Sequence, residues 1–348
     1  MKKSKIIIIA IAVVLIVIAA AGYLFYQNGL NAAKPGDTEP VTVSIPSGSG
    51  ASAIVEILDE NGLIKNKTCA KIHVRIAGYD SLQANTYIFN KSMNLLEIMD
   101  AINTGNFAYL SKNAFTVIEG ATVPQAAEAM AEGLPFTAEE VLKKWNSKKY
   151  LRQLIEKYWF LTDEILQSGI MFPLEGYIYP ETYFVSDENP SIEQVTEMIL
   201  DKTEEELTAR KGAITEMGMT VHEFLALTSI VENESLFEKD RPIIAGVFVN
   251  RLAKDMTLQS DITVLYALQE KRVDVTYEDL EVDSKYNTYK YAGLPVGPVC
   301  SPSAPAMDDL LNYEKSDYLY FFATEDGKVL YSKTLEEHNK VVRENMWY

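Results

Sequence analysis

The sequence predicts an α+β protein in which a transmembrane helix is followed by small βα modules and then by a mixed α+β domain. Two observations predict this class. An uncharged apolar run opens the chain, and segments of alternating hydrophobicity, typical of strands, repeatedly give way to segments of helical period. The 348 residues, 47% of them hydrophobic, are enough for more than one core.

The N-terminus has the pattern of a membrane anchor. Its apolar run, residues 6–26, is long enough as a helix to cross a hydrocarbon core of roughly 30 Å. The cationic residues ahead of the run are Lys2, Lys3 and Lys5. They predict that residues 1–5 are cytoplasmic and the rest extracytoplasmic, in a single-pass protein of the cell membrane. A signal peptide cleaved near the small residues 19–21 is the alternative.

Composition excludes several classes of function. The net charge is −17 and no basic run follows the N-terminus, so nucleic-acid binding is not expected. Cys69 and Cys300 permit one disulfide, but their spacing does not favour one. The three histidines lie far apart and form no cluster with metal-ligand spacing. We therefore expect neither a metal nor a cofactor.

After a polar stretch that predicts a linker over residues 27–40, the chain repeats a strand, a turn and an amphipathic helix. The repeats cover 41–62, 86–105 and 114–133. These units resemble LysM-type modules, which bind the N-acetylglucosamine chains of cell walls; a role in orienting the rest of the chain is the alternative. The predicted domains are a LysM-like module over 41–112 and a second domain over 113–348, in which 113–170 form a connection or second βα module.

The next elements mix helices with an aromatic loop. Residues 137–169 have a charged helical pattern, and residues 191–211 predict a polar helix rich in glutamate. Between them, residues 171–184 (MFPLEGYIYPETYF) combine prolines and aromatics around Glu175 and Glu181. A loop of this composition suits the lining of a saccharide groove.

One carboxylate in the following helix is the first candidate for chemistry. The capping box of Thr220 and Glu223 predicts a helix that begins at Val221. Near its C-terminal end, Glu232 projects towards the apolar face, where burial and the helix dipole both favour a retained proton, as a general acid requires. The alternative is a structural glutamate that reaches water or pairs with an arginine such as Arg251. Glu234 projects elsewhere, beside Leu227 and Ile230.

The remaining sequence alternates helices with loops. Helices are predicted over 238–256 and after residue 260, separated by a polar stretch. Residues 286–305 form a long loop rich in Gly, Pro, Ser and Tyr, and such loops are usually functional. Residues 318–332 predict a hairpin that turns at Asp326-Gly327, and the capping box of Thr334 and Glu337 opens a last helix.

Six stretches together resemble, in order and spacing, the MltG-like (YceG-like) endolytic murein transglycosylases. They are LEGYIYPETY (174–183), TSIVENES (228–235), AGVFVNRL (245–252), MTLQSDITVLYAL (256–268), YNTYKYAGLPVGPV (286–299), and YLYFFAT (318–324) with His338-Asn339. The resemblance covers about residues 42–342. The chain departs from the family pattern at Asn233, at Ile262 and in the loop 297–303.

The resemblance implies that Glu232 is the catalytic residue and that the MurNAc–GlcNAc β-1,4 bond inside peptidoglycan strands is cleaved. Glu232 first protonates the glycosidic oxygen and then takes the proton of the C6 hydroxyl, which closes a 1,6-anhydro ring on MurNAc. The implied partners are peptidoglycan strands, the membrane, peptidoglycan synthases and division or elongation proteins.

Several polar residues are predicted to bind the substrate. Glu175 is the first candidate for stabilising the positive charge that develops on the sugar, with Gln259, Asn287 and Tyr289 as hydrogen-bonding partners. The other substrate-binding candidates are Tyr183, Asn250 and Asp261. For these residues, bracing a loop is the alternative to direct contact.

Two other functions stay open from the sequence. A hydrolytic muramidase would use Glu175 or Asp261 as a second carboxylate. A non-catalytic peptidoglycan-binding scaffold in division or elongation would rely on the βα modules and would not need Glu232.

Overall fold

The computed structural model describes residues 2–46, 48–79, 81–106, 109, 113–185, 187, 189–235, 237–270, 272 and 275–346. The side chains of residues 2–12, including the three predicted cytoplasmic lysines, lie outside the description, as do residues 110–112 at the end of the predicted module. The chain divides into two compact units. The N-terminal unit comprises Met1–Asn113 and Phe184–Glu188, and the C-terminal unit comprises Ala114–Tyr183 and Asn189–Tyr348.

The first helix, α1, spans Lys2–Leu30 and is long and apolar enough to cross a membrane. It continues into the stretch for which a linker is predicted, because its last turn is buried: Leu30 is 4% exposed in the core of the N-terminal unit. The following residues are also held in place. The Lys34 N–H donates to the Lys91 carbonyl at 2.9 Å, and the Ser92 N–H donates to the Asp37 carbonyl at 2.9 Å.

Among its described residues, the rest of the N-terminal unit has two strands and three helices: β1 (Pro40–Ile45), α2 (Ala51–Glu60), α3 (Lys67–Ala77), β2 (Asn85–Asn90) and α4 (Leu95–Thr104). The two strands pair antiparallel, with Val43 opposite Tyr87. The predicted strand–turn–helix order of the first two repeats is present, whereas α3 is an additional helix. The LysM likeness stays a prediction.

The C-terminal unit is mostly helical. The paired strands β3 (Asn113–Thr116) and β4 (Thr182–Val185) contain residues of both units, whereas β5 (Tyr320–Ala323) and β6 (Val329–Ser332) pair with each other and belong to the C-terminal unit. Its helices are α5 (Val123–Gly133), α6 (Ala138–Trp145), α7 (Lys148–Lys157), α8 (Ile192–Glu216), α9 (Val221–Glu234), α10 (Arg241–Leu252), α11 (Asp261–Leu268), α12 (Ala304–Leu311) and α13 (Leu335–Asn345). Short 3₁₀ helices cover Asp163–Leu166, Glu238–Asp240 and Asp279–Glu281. The predicted α+β class, with an apolar N-terminal helix, is confirmed.

Helix α9 lies at the centre of the C-terminal unit. The predicted capping box is present, since the Thr220 side chain accepts the Glu223 N–H and the Glu223 side chain accepts the Thr220 N–H. From residue 224 to residue 231 every side chain is buried, because α10, α11 and α12 all pack against this helix. Each large apolar side chain buried in this way contributes about 1.5–3 kcal/mol. The helix therefore holds its last turn firmly.

The predicted hairpin and last helix are confirmed. Strands β5 and β6 pair antiparallel with Phe322 opposite Leu330, and the turn contains Gly327 at a φ of 78°. The left-handed conformation at this position favours glycine, as the sequence indicated. Thr334 and Glu337 form the predicted capping box of α13.

Candidate active site

Glu232 lies in the last turn of α9, with a side chain that is 9% exposed. Its Oε2 accepts two hydrogen bonds from Ser303: one from the backbone N–H at 2.7 Å and one from the hydroxyl at 2.6 Å. Because both bonds end on one oxygen, Oε1 is left available for a proton or a ligand.

Ser303 also connects the carboxylate to a helix N-terminus. It is the N-cap residue of α12, and its Oγ accepts the Ala306 N–H at 3.3 Å while donating its own proton to Glu232. The carboxylate thus faces the positive end of the α12 dipole. Ser303 therefore caps α12 and holds one oxygen of Glu232 at the same time.

The arginine beside Glu232 is Arg241, not Arg251. The Arg241 Nη2 lies 3.7 Å from Glu232 Oε1, and its Nη1 donates to Asp309 Oδ2 at 3.2 Å. Arg251 instead donates to the carbonyls of Leu319 and Leu258, both at 2.6 Å. The pairing of Glu232 with Arg251 was wrong because the two arginines lie at opposite ends of α10, and Arg241, in its first turn, is the one that reaches Glu232.

A turn after β3 lies beside the same end of α9. The Gly120 N–H donates to the Ser301 carbonyl at 2.9 Å, and the Ser301 N–H donates to the Ala121 carbonyl at 2.7 Å. A Cβ on Gly120 would lie 2.7 Å from Asn233 Oδ1, so glycine permits this close approach. Ile118, in the same turn, is 62% exposed.

Glu234 is a second, partly buried glutamate at this end of α9, and sequence reasoning placed it away from the core. Its Oε1 accepts the Ser260 hydroxyl at 2.6 Å. Burial raises the pKa of Glu234 to about 7, and the charge of Asp261 adds to this, although the Ser260 hydrogen bond and Arg251 oppose it. The helical wheel assumed one buried face, but Leu227 and Ile230, beside Glu234, are also 0% exposed.

Three predicted substrate-binding residues lie around Ser260. Asp261 is exposed at the start of α11 and accepts the Tyr289 hydroxyl at 2.6 Å. Burial and this hydrogen bond raise the pKa of Tyr289. Gln259 is exposed, with a positive φ of 51°, and its N–H donates to the Thr288 carbonyl at 3.1 Å. The structure thus places Gln259, Asp261 and Tyr289 together beside Glu234.

Comparisons with known proteins identify the family of this chain. Residues 43–344 match the model of the YceG-like family. This chain belongs to the YceG-like family. It is 36% identical to the endolytic murein transglycosylase of Bacillus subtilis (strain 168), over 93% of this chain and 89% of that protein.

Two further relatives extend the comparison. The endolytic murein transglycosylase of Streptococcus pneumoniae serotype 2 (strain D39) is 34% identical over 98% of this chain, which spans 65% of that protein's length. The crystal structure of a yceG-like protein from Listeria monocytogenes is 40% identical, has a TM-score of 0.64, and matches 87% of this chain and 99% of its own.

In this YceG-like protein Glu175 lies in the interior, at 1% exposure. Its carboxylate accepts the Val123 N–H at 3.0 Å, at the N-terminus of α5, and the Tyr266 hydroxyl at 2.9 Å. Burial raises the pKa of Glu175 to about 8, although these hydrogen bonds oppose the rise. The position matches the alternative of a polar residue that braces a loop.

Three other predicted binding residues also hold the backbone of this YceG-like protein. Asn287 is 0% exposed and donates to the carbonyls of Leu280 and Val282 at 2.8 and 2.9 Å. Asn250 donates to the carbonyls of Ser316 and Tyr318 at 2.8 and 2.9 Å. Tyr183 is 4% exposed, and its hydroxyl donates to the Tyr179 carbonyl at 2.7 Å. Their sequence context did not distinguish such bracing from ligand contact.

Proposed function

We propose that this chain is an endolytic murein transglycosylase, a lyase that cleaves the MurNAc–GlcNAc β-1,4 bond within peptidoglycan strands. The relatives from B. subtilis and S. pneumoniae carry this name. The observation that carries the proposal is the setting of Glu232. Its carboxylate is nearly buried, one oxygen is held by Ser303, and the other oxygen is available for proton transfer.

In the proposed reaction, Glu232 Oε1 gives its proton to the glycosidic oxygen as the bond to the MurNAc anomeric carbon breaks. The GlcNAc hydroxyl leaves with that proton. The resulting carboxylate then takes the proton of the MurNAc C6 hydroxyl, whose oxygen bonds to the anomeric carbon and closes the 1,6-anhydro ring. Glu232 ends protonated, as it began, and one carboxyl group serves both steps.

Ser303 and Arg241 have distinct roles in this scheme. Ser303 fixes the rotamer of Glu232 through Oε2, so that Oε1 keeps one direction through both steps. Arg241, 3.7 Å from Oε1, stabilises the carboxylate that exists between the two proton transfers. Because Arg241 is also bound to Asp309, its position does not depend on the charge of Glu232.

The proposed contacts to the glycan are Gln259, Asp261 and Tyr289. The exposed side chains in this set are those of Gln259 and Asp261, and they lie on either side of Ser260, which donates to Glu234 at the end of α9. Tyr289 donates to Asp261. Glu175, Tyr183, Asn250 and Asn287 act by holding the loops, since their polar atoms are bound to the backbone. A hydrolytic muramidase would need a second carboxylate. Glu175 is enclosed and cannot activate water against the sugar, whereas Asp261 is exposed, so the identity of the new glycan ends decides between the two reactions.

The N-terminal part is proposed to place this chemistry at the membrane. Among the described residues, helix α1 is the proposed membrane-spanning anchor, with the N-terminus cytoplasmic and the residues that follow the helix extracytoplasmic. The unit over 41–112 is a LysM-like module that binds glycan, and 113–348 form the catalytic domain, in which 113–170 connect the two. Synthases and division or elongation proteins are the proposed partners in ending nascent glycan strands.

Analysis of digestion products tests the proposed activity. Purified peptidoglycan is incubated with the full-length chain in detergent, and the new glycan ends are identified by mass spectrometry. We expect anhydro-MurNAc ends from internal cleavage by the wild type and by Glu216→Gln, an exposed glutamate at the end of α8. Glu232→Gln should give none. Reducing MurNAc ends would favour the muramidase, and glycan binding without cleavage by folded wild type would favour the scaffold.

A further inference from the structure

Helix α3 packs against the last turns of α1 in an antiparallel direction. The Tyr26 hydroxyl is hydrogen-bonded to His73 Nδ1 at 3.0 Å. One turn later on α1, a Cβ on Gly29 would lie 2.5 Å from Cys69 Sγ, so the backbones are close there. Gly29 is therefore opposite Cys69, and Tyr26, which precedes Gly29 on α1, is opposite His73, which follows Cys69 on α3. The C-terminal end of α3 is therefore the end nearer the apolar part of α1.

The depth of this end follows from the length of the apolar run. A helix that begins its apolar run at Ile6 reaches the far side of a hydrocarbon core of roughly 30 Å near Tyr26. Tyr23 lies one turn before it, and tyrosines are typical of the interface between lipid and water. Cys69 is opposite Gly29, and from Cys69 helix α3 runs about 10 Å towards the membrane to reach Ile76. Ile76 is thus level with Tyr23.

The outward face of α3 has the chemistry of a lipid interface. Ile72 and Ile76, one turn apart, are 45% and 76% exposed. Arg75 is exposed between them and has no acidic partner within the described part of the chain. The helix (KTCAKIHVRIA) contains no acidic residue, although the whole chain has a net charge of −17. Lys71 is also close, but it is paired with Glu56 of α2. Exposed apolar side chains beside cations suit the boundary between headgroups and acyl chains, and here they lie near the end of α3 that is nearer the apolar part of α1.

We propose that this face of α3 rests in the headgroup layer of the bilayer that α1 crosses. Ile72 and Ile76 enter the acyl boundary, and Arg75 pairs with the phosphates of anionic phospholipids. The inference rests on the proposed membrane-spanning role of α1. The inference goes further than an anchor, because contact of α3 with the headgroups would hold the N-terminal unit at a fixed height above the membrane. A flexible tether would not. The backbone hydrogen bonds of Lys34 and Ser92 remove the slack that such a tether would need.

Depth measurements with the full-length chain test this proposal. Single cysteines are introduced at Ile76, at Thr68 and at Val17, one in each of three variants, and labelled with the environment-sensitive fluorophore NBD. The chain is placed in nanodiscs of equal parts phosphatidylcholine and phosphatidylglycerol, with or without spin-labelled acyl chains as quenchers. The native Cys69 and Cys300 are 2% and 0% exposed, and the unaltered chain measures any labelling of them.

Thr68 is the matched control for Ile76, since it is exposed on the same face of α3 two turns away, towards the end remote from the lipid. We expect strong quenching at residues 17 and 76 and none at 68. Adding Arg75→Gln, or omitting phosphatidylglycerol, should reduce the immersed population at residue 76 by about fivefold. Quenching at 17 but not at 76 would overturn the interface and leave the anchor intact. No quenching at 17 would overturn both.

Discussion

The two carboxyl groups at the end of α9 have related surroundings but different chemistry. Glu232 accepts bonds from Ser303, the N-cap of α12, and Glu234 accepts one from Ser260, the N-cap of α11. Glu232 also has an arginine 3.7 Å away and one oxygen free of Ser303. Glu234 instead has the like charge of Asp261 nearby, and burial raises its pKa to about 7. The difference between the two groups lies in their contacts: the proposed acid/base residue, Glu232, has Ser303 and Arg241 beside it, and Glu234 has Ser260 and Asp261.

The largest expected difference is in catalysis. Glu232→Gln removes the only proton that the proposed mechanism uses, so kcat should fall by about 10³-fold or more. Glu234→Gln keeps a hydrogen-bond acceptor for Ser260, so kcat should stay within about tenfold of the wild-type value. Initial rates of anhydro-end formation measure both, and circular dichroism verifies folding. Equal losses in the two variants would remove the distinction drawn here.

The pH dependence of stability should separate the buried carboxyls from the exposed ones. The ordinary pKa of a glutamate is 4.5, and burial raises the pKa to about 7 for Glu234 and to about 8 for Glu175. At pH values between 4.5 and the raised pKa, each of these two carboxyl groups has lost its proton in the unfolded chain but retains it in the folded chain. The free energy of unfolding therefore falls as pH rises, by about 1.4 kcal/mol per pH unit for each group.

Urea unfolding of the full-length chain across this pH range measures the effect. Glu234→Gln should remove the part of the slope that ends near pH 7, and Glu175→Gln the part that ends near pH 8. Glu216→Gln should leave the wild-type slope unchanged, because this residue is exposed. A wild-type slope in Glu234→Gln would show that its carboxyl is ionised in the folded protein.

Ser303 is expected to act in both capping and catalysis. Ser303→Ala should lower the free energy of unfolding by about 1 kcal/mol through loss of the cap. It should also lower kcat about tenfold, since the hydrogen bond is to a charged group. Ser191, the N-cap of α8, accepts the Gln194 N–H at 3.2 Å and serves as the control. Ser191→Ala should lose similar stability with unchanged kcat, and an equal kcat loss would assign Ser303 a purely structural role.

The smallest expected effect is at the Tyr289 hydroxyl. Tyr289→Phe removes the hydrogen bond to Asp261 but leaves Glu232 and its partners in place. We expect KM to rise about threefold with kcat nearly unchanged, as for the loss of a neutral donor that acts on binding. Steady-state kinetics on soluble glycan strands separate the two constants. A fall in kcat with constant KM would move Tyr289 from binding to catalysis.

Local patterns in the sequence predicted much of the fold. The capping boxes of α9 and α13, the β5–β6 hairpin and the apolar N-terminal helix all depend on neighbouring residues, so they could be read directly. Helix α3 was not predicted because its exposed isoleucines interrupt the polar face that a surface helix normally shows.

The candidate site was only partly predictable, because its contacts come from distant parts of the chain. The helical-wheel argument for α9 selected Glu232. It could not predict Ser303, which a loop brings to the carboxylate, or Arg241. It placed Glu234 beside Leu227 and Ile230 but took that side to be outside the core, whereas residues 224–231 of α9 are buried on every side. Glu175 was chosen for its aromatic loop, yet that loop turns inward, and its carboxylate accepts the N–H at the start of α5.

The central claim is that one carboxyl group and the substrate's own hydroxyl complete the reaction, without water as a reactant. Digestion of peptidoglycan by the wild-type chain in water labelled with heavy oxygen tests it most directly. We expect anhydro-MurNAc ends whose mass is the same as in ordinary water. New MurNAc ends that carry one heavy oxygen would contradict the proposed mechanism. They would show that water attacks the sugar and that a second group activates that water.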